Sequence, residues 1–175
     1  MSKAVMISIR PKWCEKIASG EKTIEVRKTR PKLYTPFKCY IYCTQSGVAL
    51  GAWGKHGKVI GEFTCDRIYK IDKDNTDFLF KAGGLSVYKQ AAEEKCGLRV
   101  AMTDDELHGY LGHCRGYGWH IFDLRIYDAP RELIEFERPC ECNECDAKWA
   151  TECNACHEEG KIKRAPQSWC YVEEG

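Results

Sequence analysis

Two stretches of this chain concentrate residue types that do chemistry. Residues 140–157 read CECNECDAKWATECNACH, in which Cys142 and Cys145 form one C-x2-C knuckle and Cys153 and Cys156 a second. Thiolates paired in this way deliver four sulfurs to one tetrahedral ion, and Zn2+ is the expected metal. Four thiolates fill the coordination sphere, leaving no position for a reactive water. The ion is therefore expected to staple a segment that has little apolar core of its own. Cys140 and His157 are alternate ligands, and Cys140 can replace Cys142. The competing reading is free thiols in an acidic loop, since Glu141, Glu144, Asp146 and Glu152 lie among them.

The second stretch is N-terminal and holds Ser8, Arg10, Lys12 and Trp13, followed by Lys22, Thr23, Glu25 and Arg27. Lys12, Lys22 and Arg27 can neutralise phosphate, Glu25 can accept from a base or fix Arg27, and Trp13 can stack on a base. Each assignment has a plainer rival. Trp13 shares a helical face with Ile17 and can be a core residue. Glu25 and Arg27, two apart on one strand face, can be a surface ion pair worth little. Lys12 and Lys28 can simply be solvated.

The elements that must position these side chains are legible. Pro11 suits the first turn of a helix, Trp13, Cys14, Ile17 and Ala18 share a face, and Gly20 can close the end, which predicts an amphipathic helix over 11–19. In the strand that follows, Ile24 and Val26 point one way while Thr23, Glu25 and Arg27 point the other. Lys38–Thr44 and Lys58–Ile71 read as strands, with a glycine-rich loop carrying Trp53 between them. Residues 85–95 read as a helix, and Thr103 with Glu106 forms a capping box for another through about Leu111. Gly116–Gly118 reads as a turn, Trp119–Tyr127 as a strand ended by Asp128–Pro130, and Leu133–Phe136 as a short strand. Strands early, helices in the middle and strands late predict an α+β fold in one domain spanning 1–175, with 140–157 as an insert.

The 175 residues, 43% hydrophobic and 30% charged, can bury a real core. The net charge of +1 hides an asymmetry: residues 1–40 carry +7 and the remainder −6. The apolar run Ala4–Ile9 is too short for a signal-peptide core or a membrane span, so the reducing cytoplasm is the expected compartment, with no membrane partner. Of twelve cysteines, the seven outside the cluster (Cys14, Cys39, Cys43, Cys65, Cys96, Cys114 and Cys170) are expected to fill apolar core.

Ser8-Ile9-Arg10-Pro11-Lys12-Trp13 followed by Gly20-Glu21-Lys22-Thr23-Ile24-Glu25-Val26-Arg27 resembles the opening motif of ASCH domains, which are PUA-like. Val59–Phe63, Gly118–Ile121 and Pro166–Val172 also fit small bacterial and phage ASCH proteins, and the resemblance covers most of the chain outside the cysteine insert. It implies a small mixed β-barrel with flanking helices, here with a C-terminal zinc-knuckle loop. It also implies a cleft where the Ser8–Trp13 loop meets the Gly20–Arg27 segment, taking RNA or a modified nucleoside or nucleotide. Some ASCH proteins hydrolyse N4-acetylcytidine with a lysine, a nearby threonine and a distant glutamate. Lys22 matches the lysine, but Glu25 stands at the threonine's place. Lys22 and Glu25 are thus the catalytic candidates, and the distant glutamate is open among Glu93, Glu94 and Glu106. Ribonuclease action, also attributed to the family, finds no histidine pair among His56, His108, His113 and His120. A third reading is a protein-interaction module, docking an unknown partner through the zinc loop.

Overall fold

The structure is a computed structural model, and it describes residues 2–45, 55–71, 98–112, 115–139 and 160–175. The chain divides into two compact units. One comprises Met1–Pro11, Lys38–Glu62 and Arg125–Gly175, the other Lys12–Phe37 and Phe63–Leu124.

The first unit is organised around β1 (Lys3–Ile9), the apolar run that from sequence said only what it was too short to be. Every residue from Ala4 to Ile9 is buried, as expected of a strand covered on both faces. β1 pairs in parallel with β3 (Phe37–Cys43), Met6 opposite Tyr40, and antiparallel with the last strand, β8 (Trp169–Glu173), Met6 opposite Cys170. With β4 (Lys58–Cys65) and β7 (Phe122–Arg131) they form a five-stranded sheet in the order β7-β4-β3-β1-β8. Ala4, Met6, Tyr40, Tyr42, Val59, Phe136, Ile162 and Val172 make its core, with Tyr40 and Phe136 edge to face at 4.9 Å.

The second unit holds a three-stranded sheet in the order β2-β6-β5, from β2 (Ile24–Arg27), β5 (Ile68–Ile71) and β6 (Gly116–His120). Two helices accompany it, α1 (Pro11–Ala18) and α2 (Asp104–Leu111). Gly20, at φ 77°, ends α1 and donates its N–H to the Ile17 carbonyl, as a helix-closing glycine should. The capping box opens α2: Glu106 N donates to Thr103 Oγ1, and Thr103 N donates back to the Glu106 carboxylate. Ile24, Val26, Tyr69, Ile71, Leu98, Val100, Met102, Leu107 and Leu111 are buried together, and Trp13 packs against them.

The α+β class is as expected, and among the described residues the ladders form two open sheets without closing a barrel. Several local expectations are corrected. Gly116–Gly118 is strand, not turn: a Cβ at Gly116 would lie 2.6 Å from Leu111 Cδ2, so the glycine serves close packing of α2 on the sheet. Residues 58–71 break at Asp66–Arg67 into two strands belonging to different sheets. Trp119–Tyr127 likewise divides at Ile121, where β6 gives way to β7. β7 runs through Pro130, which an edge strand tolerates because it needs no ladder donor there. Leu133–Glu135 is a 3-10 turn rather than a strand. Residues 85–95, Trp53 and the whole 140–157 cluster lie outside the described residues. Among the described residues no helix is long and apolar enough to cross a membrane.

Candidate functional site

Lys22 is placed by the end of α1, where its backbone N–H donates to the Lys16 carbonyl at 2.9 Å. The chain then enters β2 clamped from two sides. Thr23 N and Ile24 N both donate to the Arg99 carbonyl, Arg99 N donates to Thr23 Oγ1 at 2.7 Å, and Ile121 N donates to the Thr23 carbonyl. The Arg99 guanidinium also caps the Gly20 carbonyl. Thr23 is therefore a backbone anchor. Nothing in the sequence pointed to Arg99, because its partner is a backbone segment far away along the chain.

Alternation along β2 sends Ile24 and Val26 into the core and Glu25 and Arg27 off the other face, as the sequence predicts. That other face is not solvent. Lys22, Glu25 and Arg27 are 2%, 5% and 7% exposed, so the surface ion pair weighed from sequence is instead a buried three-charge cluster. Arg27 approaches Glu25 Oε1 at 3.0 Å, and the Lys22 ammonium lies 3.5 Å from Glu25 Oε2. The register explains the burial: Glu25 stands opposite Trp119, which is fully buried and edge to face with Phe37. Lys22 Nζ donates to the Val100 carbonyl at 2.7 Å. The next residue, Ala101, sits at φ 56°, a left-handed conformation that costs a non-glycine residue roughly 1–2 kcal/mol.

Burial pushes the Lys22 ammonium below its ordinary pKa. Glu25 opposes that shift, while Arg27 and Lys16 add to it. Glu25 Oε2 makes no hydrogen bond among the described residues. The cluster is thus one carboxylate between two cations, in surroundings where charge is expensive. Buried ion pairs are often no more stabilising than the apolar residues that could replace them, whereas removing one partner leaves an uncompensated buried charge.

Trp13 is half-buried, one part on the core and the rest within reach of three ammonium groups: Lys12 at 4.5 Å from the ring centre, Lys22 at 5.1 Å and Lys16 at 5.8 Å. Trp13 thus packs on the core, as its plainer reading has it, and its ring is lined by cations. Lys12 is not merely solvated, since it pairs with Glu106 at the start of α2. Glu106, the one described candidate for a distant catalytic glutamate, is thereby engaged with Lys12, and Lys12 and the Thr103 amide hold its carboxyl below the usual range. Ser8 and Arg10 belong to the first unit. The Ser8 hydroxyl donates to the Pro166 carbonyl at 2.6 Å, and Arg10 is exposed.

His56, His108 and His120 stand in different surroundings, and His113 lies outside the described residues. His120 Nδ1 lies 2.6 Å from Asp66 Oδ1, His56 Nδ1 is 3.8 Å from the buried Cys43 thiol, and His108 is exposed on α2. Of the scattered cysteines, Cys14, Cys39, Cys43 and Cys65 are buried and Cys170 is half-buried. Burial pushes the Cys65 thiol up to about 12, so it is an inert core filler. Cys96 and Cys114 lie outside the described residues. Among the described residues no cluster of three or more ligating side chains can hold a metal.

No protein-family model and no curated protein matches the sequence. Solved structures do. The crystal structure of an ASCH protein from Zymomonas mobilis aligns at a TM-score of 0.57 with 17% identity, over 98% of this chain and 88% of that one. A variant of it with one tyrosine replaced by phenylalanine aligns at the same score over 99% and 92%. At that identity the likeness speaks for architecture, and the α+β fold of this chain is the ASCH-type fold.

Proposed function

We propose that this protein binds RNA or a modified nucleoside at the surface around Trp13 and the Lys22–Glu25–Arg27 cluster. The observation that carries the reading is Trp13: a partly exposed indole with three ammonium groups within 6 Å of its ring. Flat π-faces beside cations suit a base with its phosphate. The buried cluster behind it supplies an acceptor, Glu25 Oε2, that makes no hydrogen bond among the described residues and lies 3.5 Å from the Lys22 ammonium. The ASCH-type fold supports the same reading by analogy. Fluorescence titration with cytidine nucleotides and short RNAs tests it. Trp13→Ala is expected to weaken binding about 5- to 100-fold, the worth of one stack. Unchanged affinity in Trp13→Ala and in Lys22→Ala/Arg27→Ala would remove the site.

A second reading is favoured by the lowered pKa of Lys22 beside Glu25. A lysine so placed can serve as a general base, and an acyl-nucleoside amidohydrolase would convert N4-acetylcytidine and water to cytidine and acetate. The Thr23 hydroxyl already accepts from Arg99 N. Turnover that disappears in Lys22→Ala supports the enzyme, whereas binding without product supports the reader.

The cysteine cluster is proposed to hold a structural Zn2+ through Cys142, Cys145, Cys153 and Cys156, supported by their spacing. Metal analysis of the purified protein is expected to give about one zinc per chain, lost in Cys142→Ser/Cys145→Ser. The same double variant tests docking of a protein partner through that loop.

A further inference from the structure

We propose that residues 28–36, with the tyrosines that seat them, grip a single strand of nucleic acid beside the Trp13 site, so that the ligand is a strand rather than a free nucleoside. This inference rests on the nucleotide-binding reading and adds its substrate class. No Asp or Glu occurs between Glu25 and Glu62, and the first part of that interval reads RKTRPKLYTPFK. In space its members sort cleanly. Pro31 and Phe37 are buried and tether the segment, while Lys28, Arg30, Lys32 and Tyr34 face water. Tyr34 is 96% exposed, an aromatic ring with almost nothing packed on it.

Two of the cations are positioned without being neutralised. Lys28 Nζ sits 5.5 Å from the centre of the Tyr110 ring on α2, and the Arg30 guanidinium sits 5.8 Å from the Tyr117 ring on β6. Neither forms an ion pair with a carboxylate among the described residues. Aromatic faces orient a cation while leaving its charge available, which carboxylates would not. Register ties this surface to the buried cluster: Tyr117 lies between Arg27 of β2 and Lys70 of β5 in one cross-strand row. Lys70 is exposed, so the row runs outward from the cluster as cation, ring and cation.

The occupant that matches spaced, exposed cations and a bare ring is a polyanion carrying flat bases. Single-stranded RNA or DNA is that ligand, since its phosphates meet the cations and its unpaired bases can stack on Tyr34. An anionic membrane would meet the same charges, but the segment offers no cluster of apolar side chains to insert.

Fluorescence anisotropy with a labelled polyuridine dodecamer, beside titration with uridine monophosphate, tests the proposal on the full chain. The dodecamer is expected to bind at least tenfold tighter than the monophosphate. Tyr34→Ala is expected to weaken dodecamer binding about 5- to 100-fold while Tyr34→Phe retains it. Replacing Lys28, Arg30 and Lys32 by Ala is expected to flatten the log affinity against log salt slope by about 2, at roughly 0.7 per phosphate released. These side chains are exposed, and thermal melts confirm that the variants fold. If the monophosphate binds but the dodecamer binds no tighter, or Tyr34→Ala leaves its affinity unchanged, the grip is wrong and the nucleotide site stands. If neither ligand binds, both fall. Vesicles containing phosphatidylserine that capture the protein through Lys28, Arg30 and Lys32 while RNA does not would assign the surface to lipid instead.

Discussion

Lys22 to Arg27 and Lys28 to Tyr34 are adjacent in the chain and similar in composition, yet they live in opposite dielectric worlds. In the first, three charges are at most 7% exposed and must satisfy one another. In the second, the cations stand in water, and Lys28 and Arg30 are held by rings. Charge density along the sequence does not separate the two. A strand edge-on to a buried tryptophan does.

That contrast should be largest in stability. Glu25→Ala removes the carboxylate that both buried cations face, and is expected to cost about 3–5 kcal/mol in urea unfolding. Lys28→Ala and Arg30→Ala should each stay within about 0.5 kcal/mol, as exposed substitutions do. Equal effects would abolish the distinction between the two regions.

The next largest difference lies in pH dependence. Lys22→Met leaves the Arg27–Glu25 pair intact and so costs less than Glu25→Ala. The Lys22 amine is depressed in the folded protein relative to its ordinary value of 10.5. Between the folded value and 10.5 the unfolded chain holds the proton and the folded chain does not, so stability rises with pH in that window. Below the folded value the penalty is constant. Wild type should therefore gain on Lys22→Met as the pH is raised toward 10.5, and parallel pH profiles for the two proteins would break the assignment.

Smaller again is the effect of α2, which presents Tyr110 to Lys28 and Glu106 to Lys12. Thr103→Ala deletes its side-chain cap and is expected to cost about 1 kcal/mol. Hydrogen exchange should show the helix fraying while β2 stays protected; loss of protection in β2 as well would mean that the exposed region and the buried one unfold together. The smallest change is expected from Tyr117→Leu, which takes the ring from under Arg30 and should cost roughly 0.5 kcal/mol, the worth of an exposed cation–π contact.

Much of this was legible. The helix from Pro11, the capping box at Thr103 and the two-residue alternation of β2 are local properties, set by φ, hydrogen-bond donors and side-chain period, and they survive in the structure. The gathering of Lys22, Glu25 and Arg27 was legible too, from spacing and from the resemblance to ASCH domains. β1 was missed because an apolar run of that length carries no period to distinguish strand from helix. The Gly116–Gly118 turn was misread because glycine marks both turns and close packing, and only the neighbour, here Leu111, decides which.

The sequence alone determined which side chains of β2 share a face, because alternation is built into an extended backbone. Only the tertiary structure decided what that face meets. Trp119 across the ladder and the Val100 carbonyl, 78 residues from Lys22, remove water from the charges, and that removal lowers the lysine. Burial is a property of partners brought from elsewhere in the chain, and no local pattern encodes it.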